Sequence, residues 1–120
     1  MRNEPLSAPD AVVAASERLA PFGLATPLQP ARSLAPHAHY KCENLQHTGS
    51  FKIRGALNKL LLLTSEQRDR GVVTSSTGNH GLAVAEALRL TSGRGTVVVS
   101  SSASRYKIER LTKAGLEVVV

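Results

Sequence analysis

The sequence predicts an α/β fold in which a parallel sheet is flanked by helices in three layers. Three strand-like runs occur at residues 72–75, 96–100 and 117–120, and a helical pattern lies between each successive pair. The runs are largely continuous in apolar residues rather than alternating, which is typical of parallel strands buried on both faces. The order strand, helix, strand, helix, strand also favours parallel connections.

The amino-terminal part predicts one helix and two extended segments. Residues 11–20 have amphipathic spacing, and Ser7 or Asp10 is available to cap this helix. Proline and glycine residues then restrict residues 24–34 to a short strand or edge segment. A second strand is expected over residues 39–45.

The remaining elements follow from apolar periodicity and turn residues. A turn over residues 46–49 precedes a helix that begins at Lys52 and runs to about Leu63, with Thr48 or Ser50 as its cap. We expect residues 64–71 to be a charged surface connection. Two further helices are expected, one from Asn79 or His80 to Leu90 and one over residues 105–114.

Length and composition restrict the function classes. With 120 residues and 42% hydrophobic content, the chain can build one core. The net charge of +6 is dispersed and aromatic residues make up only 3%, so a nucleic-acid partner is disfavoured. There is no signal-peptide pattern and no apolar run of membrane-spanning length. The single cysteine, Cys42, is expected to be a small buried residue on a strand. A lone cysteine also fits a reducing compartment, so a cytoplasmic location is expected.

The last residues of the chain fall within a predicted central strand. A domain rarely stops there, because the strand's neighbours would be missing. We therefore expect a truncated chain with exposed apolar surface and a tendency to associate.

The segment KCENLQHTGSFKIRG, residues 41–55, places Lys52 in the first turn of a helix. The positive end of the helix dipole opposes protonation of an amine at that position. Such a lysine is a candidate nucleophile for a carbonyl, including an aldehyde. The alternative is a solvated surface charge.

A second segment, SSTGNHG at residues 75–81, lies between the carboxyl end of a predicted strand and the amino end of a predicted helix. Ligands bind in such crevices of α/β sheets, and the free N–H groups of the helix suit an anion. The alternative is a simple capped turn. His37 and His39 lie in the loop over residues 35–39, but no acidic or cysteine cluster accompanies them, so no metal site is expected.

Together, Gly49-Ser50-Phe51-Lys52 and Ser76-Thr77-Gly78-Asn79-His80 resemble the fold-type II pyridoxal-phosphate enzymes, specifically the threonine dehydratase, serine dehydratase and serine racemase group. The resemblance implies the tryptophan synthase beta-like fold and pyridoxal 5'-phosphate as cofactor. It assigns Lys52 as the catalytic lysine that forms the Schiff base, with Phe51 packed against the pyridine ring and Asn79 bonded to the ring hydroxyl. Phe51 as an ordinary core residue is the alternative. The implied substrate-binding set is Ser76, Thr77, Gly78, Asn79 and His80.

The same resemblance divides the chain and suggests a reaction. Residues 1–48 would begin the larger domain and residues 49–120 the smaller one, both incomplete. The implied reaction is β-elimination from serine or threonine by a dehydratase or ammonia-lyase that forms a homo-oligomer at full length.

Thr77 replaces the serine that acts as the second acid or base in serine racemase, which favours elimination over racemisation. The family's glycine-rich phosphate loop has no counterpart here. A racemase and a non-catalytic α/β fragment or subunit remain alternatives.

Overall fold

The computed structural model describes residues 7–120, which form five α-helices, two 3₁₀ turns and five strands. The helices are α1 (Ala8–Leu19), α2 (Lys52–Leu61), α3 (Ser65–Asp69), α4 (Asn79–Leu90) and α5 (Arg105–Lys113). The strands are β1 (Leu28–Pro30), β2 (His39–Lys41), β3 (Val72–Ser75), β4 (Gly95–Val98) and β5 (Glu117–Val119). None of the helices in this described part combines the length and apolar composition needed to cross a lipid bilayer.

The strands form two separate sheets. β1 and β2 pair antiparallel, with Gln29 opposite Tyr40. The larger sheet is parallel and has the order β3-β4-β5, with Thr74 opposite Val97 and Val97 opposite Val118. The helix α4 connects β3 to β4, and α5 connects β4 to β5. The predicted α/β class with a parallel sheet is confirmed.

The two faces of the parallel sheet have different environments. Val97 is fully buried in the core that α2, α4 and α5 share. The alternate residues Val73, Val98 and Val119 are exposed by 74%, 39% and 44%. Because neighbouring side chains of a strand point to opposite faces, these three valines define one bare face of the sheet. Among residues 7–120, the helices therefore pack on the other face.

The core is centred on the contact between α2 and α4, the two helices that pack most extensively. α2 contributes Ile53 and Leu57, both 0% exposed, and α4 contributes small residues such as Ala83 and Ala87, also 0% exposed. Alanines on one helix let the larger side chains of the other approach closely. This packing holds the amino-terminal turns of both helices in one rigid unit.

Three local predictions are wrong. The second strand ends at Lys41, and residues Glu43–Leu45 form a 3₁₀ turn instead. The charged connection contains the helix α3, because Thr64 and Gln67 form a capping box in which each side chain bonds the other residue's backbone N–H. Cys42 lies just after β2 rather than within a strand and is only partly buried. The helix α1 does begin after Ser7, whose hydroxyl accepts from the Asp10 N–H.

Candidate active site

Lys52 is the first residue of α2 and its side chain is exposed. Its Nζ lies 4.8 Å from the centroid of the Phe51 ring, within reach of a cation–π contact. Within residues 7–120 no carboxylate lies in salt-bridge range of this amine. The Phe51 ring is itself 58% exposed, so its interpretation as a core residue is wrong for the described part of the chain. An accessible amine therefore lies beside an accessible aromatic ring.

The amino end of α2 has no side-chain cap, so the predicted capping by Thr48 or Ser50 is wrong. Phe51 occupies the N-cap position with helical dihedral angles, and no side chain accepts from the first turn. The Thr48 hydroxyl instead donates to the Ser50 carbonyl at 3.4 Å. The Ser50 hydroxyl is buried and has no hydrogen-bond partner in the described structure, a feature that sequence inspection did not reveal. Backbone N–H groups at this helix end thus remain available.

The loop between β3 and α4 carries the second predicted motif at the carboxyl end of β3. The Ser76 hydroxyl accepts from the N–H groups of Gly78 at 3.2 Å and Gly81 at 3.0 Å. The turn is therefore capped, as the alternative interpretation requires, but the Ser76 O–H remains free to donate. Asn79 and His80 are exposed, and Thr77 is partly buried. Capping and ligand binding are compatible in this loop.

Gly81, the last residue of the second motif, lies in the first turn of α4 and has no predicted role. A Cβ at this position would lie 2.7 Å from Leu111 Cδ2 and 3.3 Å from the Ser76 carbonyl oxygen. Glycine leaves room here for the buried Leu111 side chain of α5 and for the Ser76 carbonyl oxygen. Gly81 therefore supports the shape of the loop that carries Ser76 and Asn79.

An ion pair joins the segment before Lys52 to the helix that Lys52 begins. Arg54 Nε and Nη2 donate to the Glu43 carboxylate at 2.9 and 2.7 Å, and the Thr26 hydroxyl donates to it at 2.5 Å. The hydrogen bonds from Arg54 hold the pKa of Glu43 at about 2, although partial burial opposes this shift. In turn, the carboxylate raises the pKa of Arg54. The pair therefore stays charged across the neutral range.

This ion pair makes a prediction for acid stability. Because the folded chain depresses the pKa of Glu43, the carboxylate stabilises the fold above its ordinary pKa of 4.5, and that contribution is lost as the pH falls toward about 2. We expect the free-energy difference between the unmodified chain and Glu43→Gln to be constant above about pH 5 and to shrink below it. Urea unfolding at a series of pH values measures this difference. Glu66→Gln, which breaks an exposed pair with Arg70, is the control, and an equal pH trend in both variants would contradict the assignment.

The side chains of the two motifs fit an aromatic aldehyde better than a metal ion. Lys52 offers an amine, Phe51 an aromatic surface, and Asn79 an amide able to bond a ring hydroxyl. No cluster of three or more His, Cys, Asp or Glu able to hold a metal occurs among residues 7–120. In the same range, the only short glycine repeat, Gly93-Arg94-Gly95, forms the turn into β4 and is packed against Leu88.

Comparisons with known proteins agree with this chemistry. A family model described as "Pyridoxal-phosphate dependent enzyme" matches residues 19–120. An L-threo-3-hydroxyaspartate ammonia-lyase from Pseudomonas sp is 41% identical over 112 residues, which is 90% of this chain and 35% of that protein. An L-threonine ammonia-lyase from Thermotoga maritima is 45% identical over 82 residues, covering 68% of this chain and 20% of that protein.

Solved structures of related enzymes have the same fold as this chain. The structure of maize serine racemase superposes with a TM-score of 0.82 at 36% identity, covering 92% of this chain and 35% of that one. The chain thus spans about a third of the length of proteins such as this racemase and the hydroxyaspartate lyase. The expected fold type and cofactor are confirmed. By its motifs, its fold and its relatives, this chain belongs to the family of pyridoxal-phosphate dependent enzymes.

Proposed function

We propose that this chain is part of a pyridoxal-phosphate-dependent ammonia-lyase, or dehydratase, that removes the β-hydroxyl of a hydroxy-amino acid such as serine or threonine. The observation that carries the proposal is the accessible amine of Lys52 at the start of α2, next to the exposed Phe51 ring. The relatives include threonine and hydroxyaspartate ammonia-lyases, which supports the substrate class.

Lys52 would act as the base in this reaction. Pyridoxal phosphate, when bound, supplies an electron sink that stabilises negative charge at the α-carbon of an amino acid. The Lys52 amine would take the α-proton as the bond from the α-carbon to hydrogen breaks. The bond from the β-carbon to oxygen would then break, and the departing hydroxyl would take up the proton that Lys52 removed and leave as water. Hydrolysis of the released enamine consumes one water and gives a keto acid and ammonia.

The loop between β3 and α4 would hold the substrate carboxylate. The amino end of α4 offers N–H groups to an anion, and the exposed Asn79 and His80 add side-chain donors. Ser76 retains one O–H to donate after its oxygen has accepted from Gly78 and Gly81. Thr77 and Gly78 complete the set that we assign to substrate binding, and Asn79 and Phe51 would also contact the cofactor ring.

A racemase is the second candidate, because several relatives are named serine racemase. Racemisation requires proton transfer on both faces of the α-carbon. On the face opposite Lys52 the candidate group would be Thr77, whose β-branched side chain has few rotamers. This stiffness supports elimination as the main reaction.

We also propose a domain division, an oligomeric state and a cellular location. The separate sheets β1-β2 and β3-β4-β5 support a division near residues 48 and 49 between two domains. The exposed valines of the bare face support association with further protein surface, in our proposal within a homo-oligomer. The single free cysteine supports the reducing environment of the cytoplasm.

The test is chemical trapping at Lys52. The purified chain is mixed with pyridoxal phosphate and reduced with borohydride, and the pyridoxyl group is mapped by mass spectrometry with Lys52→Ala as control. We expect the label to concentrate on Lys52, because this exposed lysine is the first residue of α2 and lies beside the Phe51 ring. Scattered labelling of Lys41, Lys59, Lys107 and Lys113 would contradict the proposal. Formation of keto acid, or of the D-isomer, from L-serine then separates lyase from racemase.

A further inference from the structure

The segments on both sides of Lys52 are held by one hydrogen-bond network. Its members are Thr26, the Leu24 carbonyl, Glu43, Gln46 and Arg54, and we call it the Glu43–Arg54 network. Gln46 and Arg54 both donate to the Leu24 carbonyl oxygen, at 2.9 and 2.7 Å. Glu43 receives two hydrogen bonds from Arg54 and one from Thr26. Glu43, Gln46 and Arg54 are therefore each bonded to the same short segment, residues 24–26.

The network closes a loop that contains the site lysine. Gln46 is 5% exposed and lies just before the loop, while Arg54 lies in the first turn of α2 just after it. Between them are the seven residues 47–53, which include Phe51 and Lys52. Because both ends are bonded to the same carbonyl, the loop has a defined span. The Lys52 backbone is thus held from two sides.

Among the described residues, no local cap stabilises the start of α2. The helix has no side-chain cap and no acidic residue in its first turn, where Lys52 and Arg54 instead add positive charge. Positive side chains at a helix amino end are unfavourable with the helix dipole. The Glu43 carboxylate, whose side chain is only 16% exposed, neutralises this charge through Arg54.

We propose that Glu43 and Arg54 are positioning residues for Lys52: by anchoring residues 24–26 to the first turn of α2, they hold the lysine amine where it meets the cofactor aldehyde. This inference rests on the proposed function of Lys52. It adds residues 24–46 to the determinants of the site, although none of them need touch cofactor or substrate. A displacement of about 1 Å in a reacting group can reduce its reactivity by as much as a hundredfold.

The test uses variants that retain charge. Arg54→Lys keeps the positive charge but replaces the planar fork of Nε and Nη2 by a single ammonium nitrogen, which cannot reproduce the two parallel hydrogen bonds to the carboxylate. Arg89→Lys is the matched control, because Arg89 also makes a forked pair, at 2.8 Å twice, with Glu86, whose side chain is 20% exposed, but both partners lie within α4. Glu43→Gln is the second variant. Each chain is trapped with pyridoxal phosphate and borohydride.

The measured quantity is the ratio of pyridoxyl label on Lys52 to that on Lys59. Lys59 lies near the end of the same helix, so it reports general access to α2. We expect Arg54→Lys and Glu43→Gln to reduce the ratio by about tenfold and Arg89→Lys to leave it within about twofold. Hydrogen exchange of the Leu57 and Leu60 amides verifies that α2 remains formed.

The possible failures are distinguishable. If the label on the unmodified chain is already scattered, the proposed function fails and the inference fails with it. If that label concentrates on Lys52 and the ratio is unchanged in Arg54→Lys and Glu43→Gln, only the inference is overturned. It is also overturned if Leu57 and Leu60 lose their protection in these variants, because the network would then hold the helix as a whole rather than position one lysine.

Discussion

Leu57→Ala is expected to lower the free energy of unfolding by about 3 kcal/mol, within the range of about 2–5 kcal/mol seen for buried leucines. Leu57 is 0% exposed and is one of the largest fully buried side chains in the core between α2 and α4. Truncation leaves a cavity that the surrounding helices fill only partly. Since small domains have only about 5–15 kcal/mol of stability, the urea midpoint should fall markedly.

Leu62→Ala is the control for this prediction. Leu62 follows the last turn of α2 and its side chain is 56% exposed. Its replacement should change the free energy of unfolding by no more than about 0.5 kcal/mol. If both leucine variants lowered the urea midpoint equally, the contact between α2 and α4 would not be the centre of the core.

Gly95→Ala is the second substitution with a large expected effect. A Cβ on Gly95 would lie 2.7 Å from Leu88 Cδ1, 2.9 Å from Val72 Cγ2 and 2.9 Å from the Val72 carbonyl oxygen. The leucine side chain can turn away, but the Val72 carbonyl belongs to the backbone of β3. We expect a loss of about 1–3 kcal/mol, measured by thermal or urea unfolding. Hydrogen exchange at Val72, whose N–H donates to the Arg94 carbonyl, should also accelerate.

Gly55→Ala is the control for Gly95→Ala and is expected to have the opposite effect on stability. Gly55 lies inside α2, and no atom lies within 4 Å of a Cβ built there. Alanine should therefore stabilise the chain by about 0.5–1 kcal/mol, because glycine is a poor helix former. Equal destabilisation by Gly55→Ala and Gly95→Ala would show that loss of flexibility, rather than the close approach of β3 and β4, is responsible.

Much of the fold could be predicted from local sequence. The strand β3 has the predicted bounds, and α4 begins at the predicted Asn79, because apolar periodicity and the preceding Ser-Thr-Gly turn both mark the boundary. The helix α3 was missed although its signal is local: Thr64 and Gln67 have the spacing of a capping box. The bare sheet face was also missed, since continuous apolar strands predict burial on both sides.

The site was only partly predictable for a physical reason. The position of Lys52 at a helix start follows from apolar periodicity and is correct. The forked pair between Glu43 and Arg54 joins residues eleven positions apart across a turn, and no spacing rule for a helix or strand brings them together. The wrong assignment of Thr48 and Ser50 as caps has the same origin. The negative charge near the start of α2 comes from Glu43, which lies outside the local sequence that a capping rule considers.

The bare face of the parallel sheet has a calorimetric consequence. Val73, Val98 and Val119 are already partly hydrated while the chain is folded, so unfolding adds less new apolar hydration at these positions than at fully buried valines. Apolar hydration is the source of the positive heat-capacity increment of unfolding, which is usually about 12–15 cal/mol/K per residue. This chain should have a smaller increment per residue, and its stability should therefore vary less steeply with temperature on either side of its maximum.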